Sequence, residues 1–237
     1  IHTFNWSRTH DVFAFEPFVK NLRLQNVTRC LNPRLAKRIR LFPVGLGARA
    51  SRCELYQQEH VNIGDTHSVC GDDEATLAQG RAPFLAAKYA KLGESTTRTL
   101  DSLVPRSLYA REKVLKIDVE GAELEVLRSV DWAATPADGV QVESVEGAAK
   151  NDTAALVALM ARWYHLDVKY DVSPPPCRPG EATADCTYDL IFVSRRFARD
   201  LRARNVSLTP AGARALWKRT YGPPAGRGEE PPGWRRA

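Results

Sequence analysis

The chain has 237 residues, 43% of them hydrophobic and 26% charged, with a formal net charge of +6. This composition fits a folded globular protein with a substantial core, and no apolar run is long enough to cross a bilayer. Eleven basic residues and three acids lie from Arg195 onward, so the preceding body is slightly acidic, which disfavours nucleic acid as a partner.

Residues 12–15 read as a buried strand closed by Glu16-Pro17. Pro17 disfavours helix at Glu16 and places that acid in a turn. A helix is expected over residues 18–31, ending near Asn32-Pro33, followed by a strand over residues 39–46 whose exit is loosened by Gly45 and Gly47. Residues 53–56 and 67–70 are expected to pair as a hairpin. Residues 71–95 are polar and weakly patterned, which predicts an insertion or mobile loop.

Residues 114–117 form the next expected strand, continuing into a helix over about residues 120–129. Its leading acids, Glu120 and Glu123, suit the positive end of a helix. A short strand over residues 140–142 closes on Glu143. Asn151-Asp152-Thr153 then caps a helix whose Leu156, Met160, Trp163 and Tyr164 recur at core spacing. Two strands, residues 166–172 and 188–193, finish the body as an antiparallel hairpin. One helical piece follows Arg195, and the Pro/Gly-rich end from Gly222 is expected to be disordered.

Alternating strands and helices predict an α/β fold with a mostly parallel sheet, here with a reversed terminal pair. One domain is expected over residues 1–200, with a basic extension over residues 201–237. The most informative stretch is Val114-Leu115-Lys116-Ile117-Asp118-Val119-Glu120-Gly121-Ala122-Glu123. It delivers carboxylates to the carboxyl edge of a sheet, where open α/β folds bind ligands. With Glu16 it points to a nucleotide-type cofactor.

The five cysteines contain no CxxC pair, which argues against a zinc ribbon. Cys177 and Cys186 bracket a loop suited to a local disulfide, while Cys30, Cys53 and Cys70 leave one odd thiol whatever their pairing. Sequons begin at Asn5, Asn26, Asn151 and Asn205, and together with a disulfide they lean towards a secretory compartment and a glycoprotein.

Four segments in order carry a family resemblance: Ala14-Phe15-Glu16-Pro17, Pro43-Val44-Gly45-Leu46-Gly47, Thr99-Leu100-Asp101-Ser102-Leu103, and Lys116 through Glu123. Over roughly residues 11–195 the chain resembles the FkbM-type methyltransferases. That resemblance implies a Rossmann-like class I fold and S-adenosylmethionine as cofactor. It further implies methyl transfer to a hydroxyl, commonly on a sugar, glycan or secondary metabolite. Under it, Glu16, with Pro17 beside it, would accept hydrogen bonds from the cofactor's ribose, and Gly45 and Gly47 would pass beneath the adenine.

Asp118, Glu120, Glu143 and His67 are then the candidates for the base that activates the acceptor. Asp118 has an alternative task, orienting the cofactor's ammonium group, and Glu120 could simply cap a helix. Lys116 is expected to pair with a neighbouring acid. The three acids could hold Mg²⁺ or Mn²⁺, but no metal is expected, since paired acids serve without one. The family's glycine-rich turn is not found, because residues 1–10 contain no glycine. With Ile1 in place of Met, the expectation is an N-terminally incomplete enzyme, the alternative being a non-catalytic binding or scaffold protein on a degenerate fold.

Overall fold

A computed structural model describes residues 11–58, 66–104, 113–134, 137–147, 150–151, 153–171 and 186–203. The chain divides into two compact units, residues 1–110 with 119–131, and residues 111–118 with 132–237.

The first unit begins with a β-α-β arrangement. Strand β1 (Val12–Phe15) lies parallel to β2 (Ile39–Phe42), joined by helices α1 (Val19–Leu31) and α2 (Pro33–Ala36). Phe42 stacks on Phe13 and Phe15, with ring centroids 6.1 and 4.9 Å away. Phe18 is buried at the head of α1, whereas Val19, Leu24, Val27 and Leu31 on the helix itself are mostly exposed.

The expected strand over residues 39–46 is two strands in two sheets. Pro43 has no N–H for a ladder, and the chain bends there through a Val44 N–H to Phe42 carbonyl bond of 2.9 Å. Beyond it, β3 (Gly45–Leu46) pairs instead with β6 (Tyr89–Arg98). The resulting sheet runs β3-β6-β4-β5, with β4 (Ser51–Gln58) and β5 (His67–Gly71) forming the expected antiparallel hairpin.

Residues 71–95 are not a loop. They form α3 (Glu74–Ala86) and most of β6. Asp73 caps α3, its carboxylate accepting from Thr76 N (2.8 Å) and Thr76 Oγ1 (3.0 Å). Tyr56, Val69 and Leu77 make the local core, with Phe84 and Tyr89 against it. Short helices α4 (Leu100–Leu103) and α5 (Glu123–Arg128) complete this unit.

In the second unit the strand order is β10-β11-β8-β7, with β9 (Lys150–Asn151) also on β8. Here β7 is Val114–Ile117, β8 Gly139–Gly147, β10 Tyr164–Asp171 and β11 Cys186–Ser194. Only β7 and β8 are parallel in this order; β8 with β11, and β11 with β10, are antiparallel. The fold is therefore α/β with mixed sheets, which corrects the mostly parallel expectation, while the terminal hairpin is present. The departure comes from the antiparallel pairs β4–β5, β4–β6 and β8–β11, of which β4–β5 is a hairpin, whose strands must run antiparallel.

Strand β8 also continues well past Glu143, because β11 pairs with it from Val193↔Gly139 to Cys186↔Glu146. Helices α6 (Thr153–Met160) and α7 (Arg195–Ala203) flank the hairpin in the sequence. Ile117, Val140, Val142, Leu156, Met160, Leu190 and Phe192 are buried.

Trp163 was expected in the core with Leu156 and Met160 but is 40% exposed. The helix stops at Met160 and the following turn breaks its phase. Tyr164 is buried instead, its hydroxyl donating to Ala137 O (2.9 Å) and accepting from Ala137 N (3.0 Å). Burial above all pushes its phenol up to about 12.

Cys53 and Cys70 face each other across β4 and β5 and form a disulfide with a Cα–Cα distance of 4.0 Å. Cys30 is an exposed free thiol. The Cys177–Cys186 pairing and the end from Gly222 lie outside the described residues, as do the sequon residues Asn5 and Asn205.

Candidate active site

In a parallel pair in register, residues that follow matched partners lie side by side. Ile117, the last residue of β7, is opposite Val142 of β8, so Asp118, just past the end of β7, comes beside Glu143 within β8, and their carboxyl groups hydrogen-bond. Such a bond requires one proton between the two groups, the arrangement by which paired acids separate their ionisation.

Lys116 lies on the same face as Asp118, its Nζ 2.5 Å from Asp118 Oδ2. Burial opposes the charge on Asp118. The bonds from Glu143 and Lys116 and the lysine's charge outweigh it and hold the carboxyl below its usual range. The second unit thus joins Asp118, Glu143 and Lys116, with the expected ion pair formed. Asp189 stands directly across β8–β11 from Glu143. Sequence reasoning passed it over; a lone acid in the apolar strand Tyr188-Asp189-Leu190-Ile191 was the available signal.

Glu120 belongs to the first unit and has an unusual backbone. Its φ is +53° and that of Gly121 is +100°, and a left-handed conformation costs a residue with a side chain about 1 kcal/mol. These angles explain why α5 starts at Glu123 and not at Glu120. Glu123, buried, accepts from Val119 N (3.2 Å) and Gly121 N (3.0 Å) through one oxygen.

His67, also buried, bonds through Nδ1 to the Glu120 carbonyl at 2.9 Å. Its ring sits 5.3 Å from Phe84 and 5.5 Å from Tyr89. His67 therefore meets the main chain of the acidic turn. Asp101, in the third family-like segment, similarly accepts from Asp131 N at 3.0 Å, just beyond α5.

Glu16 lies in the expected turn. Its oxygens accept from Phe18 N (2.8 Å) and Asn21 Nδ2 (3.2 Å), so it pins the start of α1. Burial raises its pKa, partly offset by those two bonds. Pro17 Cβ is 3.8 Å from where a Cβ on Gly45 would lie, so this turn and the glycine segment are neighbours. A Cβ on Gly47 would fall 3.2 Å from Thr97 Cβ, tight enough that close approach to β6 by itself accounts for a glycine there.

The family model for the methyltransferase FkbM domain matches residues 2–163, and the chain belongs to that family. The crystal structure of methyltransferase FkbM from Methylobacillus flagellatus KT is similar at 15% identity, with a TM-score of 0.40. The match covers 76% of this chain and 36% of that one, so this chain spans about a third of that protein's length. No curated protein matches the sequence.

Proposed function

We propose that the chain is an S-adenosylmethionine-dependent O-methyltransferase acting on a hydroxyl of a sugar or glycan. Family membership supports methyl transfer, and the Asp118–Glu143 pair with Lys116 is the observation that carries the hydroxyl as acceptor. An alcohol is a weak nucleophile at neutral pH and benefits from a positioned base. Asp118, held below its usual range beside Glu143 and Lys116, stays ionised and can accept the hydroxyl proton.

The cofactor, when bound, supplies an electrophilic methyl group. Glu16 fits the ribose end, because each of its oxygens keeps a second lone pair beyond the bonds to Phe18 and Asn21. One observation favours a second reading, a non-catalytic binding protein on the family fold: Glu16 already serves its own helix. The Cys53–Cys70 disulfide and the exposed Asn26 sequon support a secretory location, and the acidic body supports a non-nucleic-acid partner.

Isothermal titration of the protein with S-adenosylhomocysteine tests the reading. Saturable binding supports it, and no binding favours the second reading. Glu16→Ala should weaken binding about ten- to a hundredfold, the scale of a lost charge-assisted hydrogen bond.

A further inference from the structure

We propose that His67 is a positioning residue that locks Glu120 in its left-handed conformation, making the β4–β5 hairpin a brace for the acidic turn. A carbonyl oxygen carries no proton, so the contact of His67 Nδ1 with Glu120 O at 2.9 Å requires the nitrogen to donate. The neutral ring is therefore the Nδ1–H tautomer. Phe84 and Tyr89 flank the ring and fix its plane, and β5 fixes its backbone.

Strained backbone persists only where surrounding contacts over-determine it. Here three contacts do so: Glu123 takes the amides of Val119 and Gly121, and His67 takes the carbonyl between them. Glycine would hold that conformation without strain. The presence of a glutamate there, held from both sides, implies that the direction of its side chain is what the brace secures. The consequence for methyl transfer rests on the function proposed above; the brace itself does not.

The test uses the whole ¹⁵N-labelled chain. Two-bond proton–nitrogen correlations of neutral His67 should show the Nδ1–H pattern, and an Nε2–H pattern overturns the proposal. His67→Leu should speed amide exchange of Gly121 about tenfold relative to the amides of β4 and β6, as expected for one lost hydrogen bond. His67→Asn, which puts an amide N–H where Nδ1 stood, should restore slow exchange. Unchanged Gly121 exchange in His67→Leu overturns the brace, and if that variant does not fold, the tautomer measurement decides. S-adenosylhomocysteine affinity should fall in His67→Leu and recover in His67→Asn. Absence of binding by the unaltered protein, with tautomer and exchange as expected, would remove the methyltransferase reading and leave the brace standing.

Discussion

Glu16 serves two demands that pull in opposite directions. Burial raises its carboxyl pKa, against the bonds from Phe18 and Asn21. A carboxyl raised on folding contributes stability below its unfolded value and loses it as pH rises through the folded value. At neutral pH the charge is a cost, so Glu16→Gln, which keeps an acceptor for Phe18 N, should raise stability by about 0.5 kcal/mol. The gain should vanish towards about pH 4, where the native side chain is itself protonated. Thermal melts at the two pH values measure this. In the proposed enzyme the same substitution weakens S-adenosylhomocysteine binding, and stability gained with affinity lost marks a residue kept for function. A loss of stability at neutral pH would assign Glu16 to the start of α1 alone.

The sheet β3-β6-β4-β5 carries a second electrostatic commitment. Glu54 on β4 is buried and accepts from Lys91 Nζ at 2.6 Å and Tyr56 Oη at 2.8 Å. Its carboxyl is pulled down to about 2, chiefly by the Lys91 bond, then by Tyr56, against the opposing effect of burial. A carboxyl lowered on folding contributes stability above its unfolded value and loses it as pH falls through the folded one. Lys91 is 40% exposed, so solvent screening reduces the contribution well below that of a fully buried pair. Glu54→Gln should lower the melting temperature at neutral pH, and the difference from wild type should shrink as pH falls from 4.5 to about 2. This element was also the least legible in the sequence. In α3 only Leu77 is fully buried, and β6 places Lys91 and Glu94 among ion pairs, so neither shows an apolar period. Strands β1 and β7 were legible because each is a short apolar run ended by an acid. Asp118 was legible for the same reason, whereas Glu143 lies within β8, which continues to Gly147. The Glu120 conformation was not legible, since it depends on His67, 53 residues away in sequence, and thiol counting could not choose Cys53–Cys70 over pairings with Cys30.

That disulfide ties the chain's stability to the compartment in which it works. Cys53 and Cys70 are 17 residues apart, and closing a loop of that size stabilises a fold by about 3 kcal/mol in the chain-entropy account. The bridge joins β4 to β5, the strand that also carries His67, so its loss should loosen the brace as well as the hairpin. Reduction should lower the melting temperature by roughly 6–12 °C for a chain of this size. Amide exchange should rise in β4, β5 and β6 and remain unchanged in β8 and β11, since the cross-link belongs to the first unit. Cys30→Ser, which removes the exposed thiol able to attack the bridge, should preserve the oxidised melting temperature and slow disulfide exchange on heating. A reduced protein as stable as the oxidised one would remove this support for a secretory location. A large difference would mean that a reducing cytosol leaves the hairpin, and with it the acidic turn, only marginally held.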